Sequence, residues 1–162
     1  MGATFDRIEA ANPNVNALVS VLDRATALEL THQADQTEPV GALHGLPIAV
    51  KDLANAAGFV TTMGSRRVAS AQAAKTDDIM VARMRDAGAI VIGKTNTPEF
   101  GLGSHTINPV FGPTRNPWDP TRTAGGSSGG AAVALATGML ALADGSDMMG
   151  SLRNPAGWTG TY

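Results

Sequence analysis

The chain has 162 residues, 43% hydrophobic and 16% charged, which suits one domain with a sizeable buried core. Lys and Arg number 12 against 14 Asp and Glu, a net charge of −2, so no basic stripe exists to neutralise phosphates and direct nucleic-acid binding is not expected. The absence of cysteine excludes disulfides, thiolate nucleophiles and thiolate-bound metal.

Met1 to Asn12 carries Asp6 and Glu9 and has no unbroken apolar stretch, which argues against a secretory signal; Asp6 also breaks the myristoylation pattern. The longest apolar run, Ala131 to Ala136, is too short to cross a bilayer. The expectation is a soluble cytoplasmic protein with no membrane contact.

In chain order, residues 3–11 and 22–36 read as helices, separated by a turn signal at Asn12-Pro13-Asn14 and an ambiguous stretch from Val15 to Leu22. Gly45 to Asp52 reads as a short buried strand ending in two charges, Lys51 and Asp52. After a Gly- and Thr-containing loop over 58–67, Thr76 is expected to cap a helix, with Asp77 and Asp78 in its first turn. Ile79, Met80, Met84 and Ala87 would form the apolar face of that helix, and Gly88 its end. Ala89 to Ile92 reads as a second strand. Residues 103–126 are irregular and Pro-rich, a length of loop that tends to carry function. Ser128 to Thr137 reads as a helix closed by Gly138, and Leu140 to Ala143 as a third strand. Helices alternating with strands over short connections argue for an α/β layer fold in a single domain over 1–162.

Glycine is over-represented, 19 where roughly 11 is average, and it concentrates after Gly101. The most informative segment is Gly125-Gly126-Ser127-Ser128-Gly129-Gly130. An apolar helix follows it, which argues against a flexible linker, and Ala131 and Ala132 stand where a phosphate-binding loop needs Lys and Ser/Thr. In Asp147-Met148-Met149-Gly150-Ser151, one serine on a turn follows several backbone amides, an arrangement suited to a nucleophile with oxyanion donors and equally to a plain helix cap. A base is then needed. His32, His44 and His105 share no pattern, whereas Lys51 ends an apolar strand, where burial disfavours the charged amine and makes it a base near neutral pH. Asp52 points the other way along the strand and need not quench it.

Gly45-Leu-Pro-Ile-Ala-Val-Lys51-Asp52, Gly93-Lys-Thr-Asn96, Phe111-Gly-Pro-Thr-Arg-Asn-Pro117, the Gly-Gly-Ser-Ser-Gly-Gly block and Gly150-Ser-Leu-Arg153 together resemble the amidase signature family, over about residues 40–158. The resemblance implies a mixed twisted sheet flanked by helices, here its N-terminal portion, the chain being expected to be truncated. It implies hydrolysis of a carboxamide C–N bond through a serine acyl-enzyme, without metal or organic cofactor. Lys51 would be the base, Ser127 the bridging serine after a cis peptide with Gly126, and Ser151 the nucleophile; the 24-residue interval between the serines agrees with the family's spacing. Met148, Met149 and Gly150 would supply the oxyanion hole, Ser128 would support the network, and Arg153 would be scaffold or touch a substrate carboxylate.

The family usually has glycine where Met149 stands. A positive φ there would strain methionine, whereas a negative φ would let its side chain line the pocket; the second is expected. The expected partner is a small-molecule amide, with a homo-oligomer or the other subunits of a tRNA-dependent amidotransferase as further possibilities. The alternatives to a stand-alone amidase are the glutamine-hydrolysing component of such an amidotransferase and an inactive fragment.

Overall fold

A computed structural model describes every residue from Met1 to Tyr162. Helix α1 (Gly2–Val15) runs through Pro13 rather than turning there. Proline has a helical φ but costs the helix one N–H donor and crowds the preceding turn, and the helix ends two residues later. Two asparagines end α1 instead. Asn16 takes the left-handed conformation at φ 52°, and Asn12 Oδ1 accepts the N–H groups of Ala17 (2.9 Å) and Leu18 (2.8 Å). These turn the chain into β1 (Leu18–Val19), resolving the ambiguous stretch as a very short strand. Helix α2 (Arg24–Asp35) follows, capped by Asp23, whose carboxylate accepts the Thr26 N–H at 2.9 Å.

Strand β2 (Pro47–Lys51), helix α3 (Ile79–Asp86) and strand β3 (Ile90–Thr95) form a parallel crossover unit. With β1 antiparallel to β3, the sheet is mixed, in the order β1-β3-β2. Two apolar clusters cover its faces. Ala49, Ile90 and Ile92 join Phe5, Ile8, Val133 and Met139 on one side, while Ile48, Val50 and Val91 join Phe59 and Val81 on the other. Burial on both faces is why these strands read as continuous apolar runs.

Helix α3 starts at Ile79, not after Thr76. Asp77 and Asp78 are spent elsewhere, accepting the main-chain N–H groups of Ala57 (2.6 Å) and Asn55 (2.9 Å) and so closing the loop that leaves β2. The later start also corrects the expected apolar face: Ile79 is 75% and Met80 40% exposed, while Val81 is buried. The third strand expected at Leu140–Ala143 does not form. The Leu140 and Met139 amides both turn back to Ala134 O, closing helix α4 (Gly129–Ala136), and so the Leu140 N–H joins no ladder although its side chain enters the core.

The irregular stretch contains a minimal hairpin, β4 (Ile107–Asn108) with β5 (Gly112–Pro113). Buried Asn108 holds it by donating to Asn96 Oδ1 and Thr97 O, both at 2.7 Å. Helix α5 (Arg153–Thr159) packs against α4. No helix is long and apolar enough to cross a membrane.

Candidate active site

A β-bulge decides which lysine meets the serines. Ile48 faces Val91 across the β2–β3 ladder, but Ala49 faces Gly93, so Ile92 is the extra residue and the side-chain alternation of β3 reverses after it. Val50 and Lys94 then share one face, while Lys51 shares the other with Ala49. Both lysines are buried, at 2% and 0% exposure, yet on opposite sides of the sheet. Lys94 pairs with Asp52 at 3.8 Å and donates to Ala54 O, and Asp52 also accepts from the Thr62 N–H and hydroxyl. Asp52 is thereby engaged away from Lys51, in line with strand alternation.

On the other face, the turn before α4 places two hydroxyls on the Lys51 amine. Lys51 Nζ lies 2.8 Å from Ser127 Oγ and 2.8 Å from Ser128 Oγ. A third hydroxyl, Ser146 Oγ, lies at 3.1 Å. Burial pulls the Lys51 pKa down to about 8, against the opposing pull of the Asp144 and Asp147 carboxylates. Three hydroxyls suit both charge states: the ammonium donates to all three, whereas the neutral amine donates to two and accepts from one.

The peptide between Gly126 and Ser127 is cis. Gly126 N–H donates to Asn154 Oδ1 at 3.0 Å, and a side chain at 126 would press on the His105 backbone at 3.1 Å. Ser127 is buried at its edge of a cavity of 520 Å³, which Ser151, Met148, Met149, Phe100 and Leu102 also line. Ser151 is half-buried; its carbonyl accepts the Ser128 N–H at 3.1 Å, tying the two serine segments together. The Ser151 hydroxyl makes no hydrogen bond to Ser127. One link of the expected relay is therefore formed and the other is open.

The turn carrying Ser151 is organised by Asp147. Its carboxylate accepts the N–H groups of Gly150 (2.5 Å), Leu152 (3.1 Å) and Arg153 (3.3 Å) and a two-pronged contact from the Arg153 guanidinium, both prongs 2.9 Å. That guanidinium and those amides hold the Asp147 carboxyl well below the usual carboxylate range. Arg153 is thus engaged by Asp147. The same arrangement alters the expected oxyanion set: the Gly150 amide is taken by Asp147, while the Met148 and Met149 N–H groups have no partner in the chain. Met149 has a negative φ and lines the cavity, and Gly150 carries the left-handed φ of 105°.

Sequence reasoning assigned no role to Ser146 or Asp144, and took Asn154, like Arg153, as scaffold beyond the nucleophile. Ser146 and Asp144 lie just before the segment it singled out, and their part depends on a contact with a strand more than ninety residues away. None of the three histidines lines the cavity.

The family model for Amidase matches residues 1–162. The chain is 44% identical to the glutamyl-tRNA(Gln) amidotransferase A-type chain of Carboxydothermus hydrogenoformans, over 98% of its own length and 33% of the relative's. It is equally 44% identical to an acylamidase of Rhodococcus erythropolis, covering 98% of this chain and 34% of that one. The solved structure of a bacterial aryl acylamidase of the amidase signature enzymes superposes with a TM-score of 0.88 at 39% identity, over 98% of this chain and 34% of that structure. The chain therefore spans about a third of the length of the relatives it matches. With the family model matched from end to end and its architecture shared with solved members, the chain belongs to the amidase family.

Proposed function

We propose that the chain carries the catalytic centre of a hydrolase of carboxamide C–N bonds, with Ser151 as nucleophile, Ser127 as proton bridge and Lys51 as base. The observation that carries this reading is the buried amine of Lys51 at 2.8 Å from Ser127 Oγ, its pKa brought to about 8.

With Lys51 neutral, the Ser151 hydroxyl turns to Ser127 and its oxygen attacks the amide carbon. The Ser151 proton passes to Ser127 as the Ser127 proton passes to Lys51. The negative charge gathering on the carbonyl oxygen is met by the unpartnered amides of Met148 and Met149. Collapse breaks the C–N bond, the leaving nitrogen recovers a proton through the same path, and Ser151 is left as an ester. Water then surrenders a proton to the relay, attacks the ester, and releases the carboxylate with Ser151 restored.

The relative named as an amidotransferase component, at the same identity as the acylamidase, favours a second reading, in which the hydrolysed amide is that of glutamine and partner chains are required. The readings part on whether the protein turns over simple amides unaided.

Because the base acts only when uncharged, kcat/KM is expected to rise with pH and level off above an apparent pKa of about 8. A fluorophosphonate is expected to label Ser151, with a rate following the same curve. Peptide mapping that finds the label elsewhere, or a labelling rate flat between pH 6 and 10, would overturn the assignment.

A further inference from the structure

We propose that Asp144 is a positioning residue for Lys51: from the free edge of the sheet it holds the strand end that carries the base, and it supplies the negative charge against which that base takes up its proton. The inference rests on the relay described above and adds to it a residue outside the three.

Strand β2 lies at the edge of the sheet. Its main-chain groups alternate between the neighbour and open space, and an edge N–H with no ladder must find an acceptor of another kind. The Asp52 N–H turns inward to Thr95 O at 3.1 Å. The Lys51 N–H consequently turns outward, and there it donates to Asp144 Oδ1 at 2.6 Å. A carboxylate thus takes the place of a ladder acceptor at this edge.

The contact is not isolated. Two residues on, Ser146 reaches the other end of the same lysine, 3.1 Å from Nζ. Ser146 also exchanges hydrogen bonds with Ser128, whose hydroxyl donates to Ser146 O at 3.3 Å and accepts the Ser146 N–H at 3.4 Å. Segment 144–146 therefore grips Lys51 by its backbone and its amine together, and ties both to the serine turn.

Charge singles out Asp144 among its neighbours. The carboxylates acting on Lys51 are Asp144 and Asp147, both from the segment before the Ser151 turn. Asp147 is already neutralised by Arg153. From β3, Lys94 faces the other side of the sheet, where it meets Asp52. Helix α4 has no ionisable side chain. Asp144 has no ion pair within 4 Å, and the cations acting on it are Lys51 and then Lys94. Burial raises its pKa, and the Lys51 N–H and the two lysine charges pull it back.

The test follows Lys51 itself, by the pH dependence of its side-chain carbon resonance in lysine-labelled protein, alongside kcat/KM against pH. In the parent protein both are expected to titrate at about 8. Asp144→Asn keeps an oxygen for the Lys51 N–H and removes the charge. It is expected to move both titrations down by roughly one unit with KM unchanged. Asp144→Ala, which also strands the N–H, is expected to lower kcat by roughly 10²-fold through misplacement of the amine. A Lys51 resonance that titrates at the same pH in Asp144→Asn overturns the proposal, whatever the thermal stability of the variant. A resonance that moves while the activity profile stays put upholds the role of Asp144 on Lys51 and overturns the relay instead.

Discussion

Replacing Lys51 by alanine is expected to lower amide hydrolysis by about 10⁴-fold, the upper range for loss of a positioned base that works as a unit with its nucleophile. Fluorophosphonate labelling of Ser151 should fall in parallel, and Ser151→Ala should abolish it. The size follows from geometry. Lys51 is 2% exposed and is the shared partner of Ser127, Ser128 and Ser146, so no other side chain or bulk water takes its place. Undiminished turnover in Lys51→Ala would count decisively against the assignment.

A Lys51→Met variant separates this role from stability. The folded pKa of about 8 lies below the ordinary lysine value of 10.5, so between these two pH values the unfolded chain binds the extra proton. Stability contributed at this site accordingly rises as pH rises from 8 to 10.5 and is flat outside that window. The stability of the parent protein relative to Lys51→Met is expected to increase by about 3 kcal/mol across it, measurable by denaturant unfolding at the two ends.

The second large effect is structural. Gly130→Ala is expected to destabilise the protein by about 3 kcal/mol or more, lowering the melting temperature by roughly 6–12 °C. A Cβ at 130 would stand 2.3 Å from Asn96 N and 2.6 Å from Ala17 O, both backbone atoms of segments pinned to the sheet. Relief would require moving α4 off β1 and β3, and with it the turn bearing Ser127 and Ser128. Gly157→Ala, in α5 with nothing within 4 Å of the added carbon, serves as the control. It is expected to be neutral or to stabilise by about 0.5–1 kcal/mol, alanine being the better helix residue. A Gly130→Ala variant that melts with the parent would mean that α4 does not pack as closely as described.

The paired glycines illustrate what can be read from a chain and what cannot. Their presence around two serines marks a backbone brought close to something, but the something is Thr106 at Gly129 and Asn96 at Gly130, segments tens of residues away. The apolar runs of β2 and β3 were legible for the same kind of reason, since burial on two faces leaves no polar positions. The boundaries of α1 and α3 were not, because side chains that look like local signals were used over distance. Pro13 was overruled by Asn12 and Asn16, and the carboxylates of Asp77 and Asp78 bind the loop after β2 instead of capping α3, although Asp78 stands at its start. The strand expected at 140–143 failed on the same account, its first amide being taken by α4.

By itself, then, the order of residues determined the α/β architecture and the family, and it marked Lys51, Ser127, Ser128 and Ser151 as candidates, because buried apolar periodicity and rare Gly-Ser spacing are properties of the chain. Tertiary structure alone decided which of two buried lysines meets the serines, since one bulged residue in β3 exchanges the faces of everything after it. It likewise decided that Asp147 takes the Gly150 amide and that Asp144 closes the edge of β2, for a donor is committed only when folding brings an acceptor to it.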